Sequence, residues 1–285
     1  MQLFDGYVHG QISRREFLDG AAKFTASATA AAAIFASLSP DYSLAQQVDP
    51  DDKSINTDYK KYGSPNGAGV MNGYFARPAA VQHKLPGVVI IHENRGLNPY
   101  VEDVTRRLAV AGFIAFAPDA LTPLGGYPGN DDDGRALQAK RDSAEMVEDF
   151  IAAVEFVANH PDCTGKVGSV GFCFGGAVSL QLAVRIPTLG AAVSYYGRHP
   201  SAADAKSIKA PLMLHHGGLD ERVNATWPDF ESALQAADVM YLSYLYADAS
   251  HGFHNDTTPR FDEQAAVSSW QRTTKFFAEN LDLGD

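Results

Sequence analysis

A chain of 285 residues, 45% hydrophobic and 20% charged, has a globular composition and enough length for one large domain with an extension. Its 23 Lys and Arg against 34 Asp and Glu leave a formal charge of −11, and no basic cluster could follow a phosphate backbone, which argues against nucleic acid as a partner. The two cysteines, Cys163 and Cys173, are too few for a disulfide framework, and no motif has metal-ligand spacing. Both thiols are therefore expected to be free, with no metal and no cofactor.

Residues 1–45 differ from the rest. Ser13-Arg14-Arg15-Glu16-Phe17-Leu18 is followed, after Lys23, by an uncharged run rich in Ala, Ser and Thr over 24–38, then by the small-residue cleavage pattern Ser43-Leu44-Ala45. This order resembles a twin-arginine-type signal segment and implies a periplasmic or otherwise exported protein. The alternative is an Ala-rich helix that stays on a cytoplasmic chain and packs on a neighbouring subunit, which leaves room for a homo-oligomer. The run is too short and too polar for a stable membrane span, which needs about 20 apolar residues. Residues 46–64 are polar and read as a linker or docking arm.

From residue 65 to 285 short apolar runs alternate with helical patterns. Strands are predicted at 74–76, 88–92, 113–117, 167–171, 191–196, 212–216 and 241–246, several of them apolar on both faces. Helices are predicted at 100–111, 143–159, 177–184, 226–237 and 263–280. Strand and helix in turn specify an α/β domain, a mostly parallel sheet with helices on both faces, in which sites gather at the carboxyl ends of the strands.

The stretch Gly171-Phe172-Cys173-Phe174-Gly175-Gly176 joins a predicted strand to a predicted helix. Small residues two before and two after Cys173 allow a sharp turn that exposes it at a helix N-terminus, where the dipole favours a thiolate. The hydrolase pattern G-x-S-x-G is kept except that Ser becomes Cys. Alone, such a cysteine is as readily a small buried hydrophobe. However, Asp220 stands just after the strand at 212–216, and His251 after the strand at 241–246, which is the order nucleophile, acid, histidine required of an α/β-hydrolase. In that constellation Cys173 is the nucleophile, His251 the base and Asp220 the group that orients it. The backbone N–H of Phe174 is one expected oxyanion donor, and that of Asn94, in the loop His92-Glu93-Asn94-Arg95-Gly96, the other. Glu93 would lie close to Cys173, where a carboxylate could hold the thiol protonated or accept its proton. The alternative for this loop is a solvated turn with Arg95 in a surface pair.

With these residues placed, the stretch from about 65 to 280 resembles the dienelactone hydrolase (carboxymethylenebutenolidase) family, α/β-hydrolases with a cysteine in the elbow. FIAFAPD at 113–119 and KVGSVGFCFGG at 166–176 are also similar to that family. The resemblance implies that Glu93 gates the thiol, holding its proton at rest and swinging away when substrate binds. It also implies arginines on the substrate carboxylate, one of them shortly after the histidine, where this chain has Asn255 with Arg260 downstream. Arg135 and Arg141 are candidates for another, and Arg95, Tyr196 and His254 are further substrate-binding candidates. A simple ester or a different lactone fits as well as dienelactone.

Blander readings apply elsewhere. His215 and His216 end a strand and read as structural, Trp227 and Trp270 as packing, and Asp131 to Asp133 as a solvated loop lacking calcium spacing. Competing functions are acyl transfer or amide hydrolysis on the same triad, a thiol redox sensor, and a non-catalytic binding module. A binder needs no Asp220 and His251, and a sensor usually has a resolving cysteine, for which Cys163 looks too distant.

Overall fold

The structure is a computed structural model and describes residues 2–8, 11–23 and 28–283. Its strands in chain order are β1 (Ile55–Ser64), β2 (Gly69–Pro78), β3 (Leu85–Ile91), β4 (Ile114–Pro118), β5 (Cys163–Phe172), β6 (Ala191–Tyr195), β7 (Leu212–Gly217) and β8 (Tyr241–Tyr246). They form one sheet in the order β1-β2-β4-β3-β5-β6-β7-β8. β1 and β2 make an antiparallel hairpin and β2 runs antiparallel to β4, while every pair from β4 through β8 is parallel. The middle strands read as continuous apolar runs because both faces are covered, and every residue of β3 and of β6 is buried.

Helices α1 (Gln2–Val8), α2 (Arg14–Ala22) and α3 (Ala28–Leu38) precede the sheet. The remainder are α4 (Pro99–Val110), α5 (Asp131–Gln138), α6 (Ser143–Ala158), α7 (Phe174–Arg185), α8 (Glu221–Asn224), α9 (Trp227–Ala236) and α10 (Glu263–Asn280). Two cores lie on opposite faces of the sheet. Val89 and Ile91 join Phe150 of α6, Leu182 of α7 and Phe230 of α9 in one, whereas Val88 and Ile90 join Val104 of α4 and Phe277 of α10 in the other. That alternation along β3 is the two-residue period of a strand. Asn98, Asp142 and Asp262 cap α4, α6 and α10 with side-chain acceptors, which fixes where each helix starts.

Three segments depart from the sequence reading. Residues 55–64, expected to be part of a linker, form β1. It is an edge strand in which Ile55 and Tyr62 are buried while Asp58 and Lys61 face water, so its apolar signal is thin. The acidic run Asp131 to Asp133, expected as a solvated loop, is the first turn of α5, where negative charge suits the helix dipole. The expected apolar run over 24–38 begins outside the described residues and continues as α3.

The SRREFL stretch itself has a structural role. Ser13 caps α2, its Oγ accepting from the Glu16 N–H at 3.2 Å while the Glu16 carboxylate accepts from the Ser13 N–H at 2.7 Å. This is a reciprocal capping box. Phe4, Tyr7, Phe17 and Phe35 close a small apolar cluster among the three helices. Among the described residues no helix is long and apolar enough to cross a membrane.

Candidate active site

β5 ends at Phe172, α7 starts at Phe174, and Cys173 alone makes the turn, with φ 55° and ψ −111°. A non-glycine residue at positive φ is strained and held only by its surroundings. Two close approaches hold it. A Cβ on Gly171 would sit 1.9 Å from the Gly175 carbonyl oxygen, and one on Gly175 would sit 2.1 Å from the Ile91 carbonyl oxygen. The second approach presses the elbow against the end of β3, which brings the Glu93 and Asn94 loop to Cys173. Phe174, as the first residue of α7, has an N–H without an intrahelical acceptor, at the positive end of the helix.

Asp220 follows β7 and His251 follows β8, and the parallel register of those strands sets the two loops side by side. His251 Nδ1 lies 2.5 Å from Asp220 Oδ2. With Asp220 ionised, Nδ1 carries the proton and Nε2 is left as the base. Burial alone would raise the Asp220 pKa, but the hydrogen bond and charge of His251, the Val223 N–H and Arg222 together hold it below the ordinary carboxylate value. The Tyr196 ring, 4.9 Å from that of His251, packs beside the pair; Tyr196 is also at positive φ, 41°, and its buried hydroxyl has no hydrogen-bond partner among the described residues.

Glu93 is buried and held from two sides. Asn255 Nδ2 donates to its Oε2 at 2.9 Å, and Arg95 Nη1 lies 3.3 Å from the same oxygen, with Arg95 Nε 3.1 Å from Asp131. Arg95 is thus a buried ion-pair partner, and the solvated-turn alternative for its loop is overturned. Next to it His92 Nε2 accepts from the Ala120 N–H at 3.2 Å, so Nδ1 is the donor to the Glu93 carbonyl at 2.5 Å. Asn255, which the sequence marked only as the place of a missing arginine, is the residue that fixes the glutamate. Its only signal in the sequence is that position, four residues after His251.

Two expectations for the thiol oppose each other, a thiolate favoured by the helix dipole and a proton held beside Glu93. Burial first and the Glu93 charge second push the Cys173 pKa up to about 12, outweighing Arg95, Arg222 and Arg260. Both of these oppose the pull of the helix N-terminus toward a thiolate. Cys173 and Cys163 are both free, and Cys163 is buried in the sheet.

The substrate-binding candidates separate into two groups. Arg95 and Arg260 are buried beside the catalytic loops, Arg260 lying against Gly252, where a Cβ would meet its guanidinium at 3.1 Å. Arg135 stands further out on α5, 2.7 Å from Asp132. His254, expected at the substrate, is turned inward. It is buried among aromatic rings and shares a 2.7 Å hydrogen bond with the Tyr100 hydroxyl, because the turn after His251 folds it back under β5. Arg141 is likewise structural, 2.7 Å from Asp149 and donating to the Ala120 carbonyl. His215 sits between Tyr246 and Thr273 hydroxyls, at 3.0 Å from each, and His216 packs on Trp227. Among the described residues no cluster of side chains is arranged to hold a metal.

A model of the dienelactone hydrolase family matches residues 71–281, and a model described as YqhI-like matches residues 1–23. A Synechocystis protein provisionally named carboxymethylenebutenolidase is 31% identical over 227 residues, covering 73% of this chain and 92% of its own. An Escherichia coli K12 sequence provisionally named hydrolase fragment YghX is 56% identical over 112 residues, 39% of this chain and 96% of its own. Among solved structures, the dienelactone hydrolase-like promiscuous phosphotriesterase P91 from metagenomic libraries is 27% identical with a TM-score of 0.70, covering 81% of this chain and 100% of that one.

Proposed function

The chain belongs to the dienelactone hydrolase family and is a hydrolase of small molecules, and on that premise we propose that it cleaves lactone or carboxylic ester bonds through Cys173, His251 and Asp220. The observation that carries this reading is Cys173 strained at φ 55° on the elbow, with the His251–Asp220 pair on the neighbouring loops.

At rest the thiol is protonated. Substrate binding draws the Glu93 carboxylate off the thiol, and His251 Nε2 takes the thiol proton as Sγ attacks the acyl carbon. A C–S bond forms and the carbonyl π pair moves to oxygen, where the N–H groups of Phe174 and Asn94 receive it. Collapse breaks the acyl C–O bond, and the imidazolium of His251 protonates the leaving oxygen; in a lactone that group stays tethered to the acyl part. Water, deprotonated by His251, then attacks the thioester, the C–S bond breaks, and the proton on His251 returns to Sγ. Asp220 keeps the imidazole in the right tautomer and supports its positive form throughout.

The test is turnover of cis-dienelactone, a short aryl ester and an aryl phosphotriester by the full chain, the last because of what P91 is named for. Dienelactone or ester hydrolysis that vanishes in Cys173→Ala supports the reading. Hydrolysis that survives the substitution sinks the mechanism. Export is a separate proposal, supported by the residue order of SRREFL and the run after it; fractionation of a bacterial host decides between it and a cytoplasmic protein.

A further inference from the structure

We propose that Tyr42 is a positioning residue for the Glu93 gate, acting from a strap, residues 41–48, that grips both side chains holding the glutamate. The inference rests on the reading above that Glu93 guards the Cys173 thiol. It starts from position: the strap lies between the two stretches that match family models, 1–23 and 71–281, yet its contacts converge on one carboxylate oxygen.

That oxygen is Glu93 Oε2, which Arg95 Nη1 approaches to 3.3 Å and to which Asn255 Nδ2 donates at 2.9 Å. The strap reaches the first of these partners through α5. Tyr42 donates its hydroxyl to Asp131 Oδ1, and Asp131 Oδ2 stands 3.1 Å from Arg95 Nε, so the guanidinium is shared between two carboxylates. Tyr127 brings a second hydroxyl to Asp131 at 3.3 Å, and Asn98, the cap of α4, donates to the Tyr42 oxygen at 2.8 Å. Burial and the Asp131 charge push the Tyr42 pKa far up, so the phenol keeps its proton to donate. A Cβ on Gly134 would meet the Arg95 carbonyl oxygen at 2.3 Å, which sets α5, with Asp131 at its start, directly on the Arg95 backbone.

The second partner is reached through the turn after His251. The Asp41 N–H donates to the Thr257 carbonyl at 2.8 Å, and Gln47 Nε2 donates to Asp256. Thr257 in turn donates to Asn255 Oδ1, from its N–H at 3.1 Å and its hydroxyl at 2.6 Å, which leaves the amide's Nδ2 aimed at Glu93. Farther along, the Val48 N–H donates to Asp103 at 3.0 Å and Arg106 Nε donates to the Val48 carbonyl at 2.8 Å, so the strap is pinned at both ends.

Arg95 is one cation between two anions, so whatever weakens the claim of Asp131 on it strengthens its hold on Glu93. The Tyr42 hydroxyl takes up part of the Asp131 charge and leaves more of Arg95 for the glutamate. Of the charges acting on the thiol, Glu93, Arg95, Arg222 and Arg260, the strap reaches the first two.

The experiment is the rate of iodoacetamide alkylation of Cys173 in the full chain against pH, corrected for Cys163 with Cys173→Ala protein. Tyr42→Phe should slow alkylation at a fixed pH by about two- to fivefold, because Asp131 then claims more of Arg95 and the Glu93 charge is less balanced. Asp131→Asn should speed it by roughly tenfold, since Arg95 is left to Glu93 and the thiolate. In a Glu93→Gln background the Tyr42→Phe effect should vanish. A merely structural loosening would admit water and favour the thiolate, speeding alkylation in both variants and both backgrounds.

A Tyr42→Phe rate at or above that of wild type, the same slowing in both backgrounds, or no acceleration in Asp131→Asn overturns the role of Tyr42 and leaves the hydrolase reading standing. Coincident rates for Glu93→Gln and wild type overturn the gate and the positioning together. Alkylation needs no substrate, so the result holds whichever ester the enzyme turns over.

Discussion

Replacing Glu93 by Gln removes a negative charge from beside Cys173 while keeping the side chain's shape and an oxygen for Asn255. With its pKa near 12, the thiol is ionised in about one molecule in ten thousand at pH 8. Burial, the larger cause, stays in the variant, and the Glu93 part goes. Arg95, relieved of one of its two carboxylate partners, adds its pull toward the thiolate. A like charge nearby is worth roughly ten- to a thousandfold in an ionisation constant, and with burial retained the thiolate at pH 8 should rise on the order of ten- to a hundredfold. The assay is the rate of iodoacetamide alkylation against pH, with Cys173→Ala protein correcting for Cys163. The variant's profile should lie one to two pH units, roughly, below that of wild type. Coincident profiles would refute the argument that Glu93 guards the proton, and so would a wild-type thiol that titrates below its ordinary 9.0.

Asp220→Asn should lower kcat by roughly a thousand- to ten-thousandfold with KM little changed, because the imidazole loses its orienting acceptor; steady-state kinetics checks it. Since the folded-state pKa of Asp220 is depressed, its stabilising contribution is present above 3.8 and is lost as pH falls through the folded value, which acid titration of Asp220→Asn against wild type would resolve. Gly175→Ala has no room for its methyl against the Ile91 carbonyl and should cost about 3 kcal/mol or more in urea unfolding, or leave no folded protein. Asp149→Ala removes the buried one of the two carboxylates paired with Arg141, leaving Glu145 at 3.0 Å, and also the acceptor for the Ala68 N–H, a loss of roughly 1.5 to 3 kcal/mol by the same measurement.

The parallel core was legible because strands buried on both faces are written as apolar runs: 88–92, 167–171 and 212–216 fall on β3, β5 and β7. The order of Cys173, Asp220 and His251 was legible because each follows a predicted strand, the last of them, β8, a half-exposed edge strand read from its Tyr and Leu residues. β1 was not, since an edge strand facing water on one side resembles a linker in composition. His254 and Asn255 exchanged expectations for a similar reason. Adjacent residues on a tight turn point in unrelated directions, and only the backbone after His251 decides which one meets Glu93 and which the aromatic core. The state of the thiol depended on two opposed effects, the helix dipole and burial beside a carboxylate, and sequence order carries no measure of either. The capping box of α2 is written in the sequence as Ser13-x-x-Glu16, around the same paired arginines that carry the export pattern.

Cys173 and Tyr196 are both held at positive φ, on touching backbones, the Cys173 N–H bonding the Tyr195 carbonyl at 3.0 Å. Such conformations cost on the order of 1 to 3 kcal/mol each in residues other than glycine. Selection for heat tolerance alone would therefore favour glycine at position 173 and return a sturdier but inert protein, whereas at Tyr196 the buried ring is worth more than the strain it carries. Any campaign to harden this scaffold has to select for turnover in the same round.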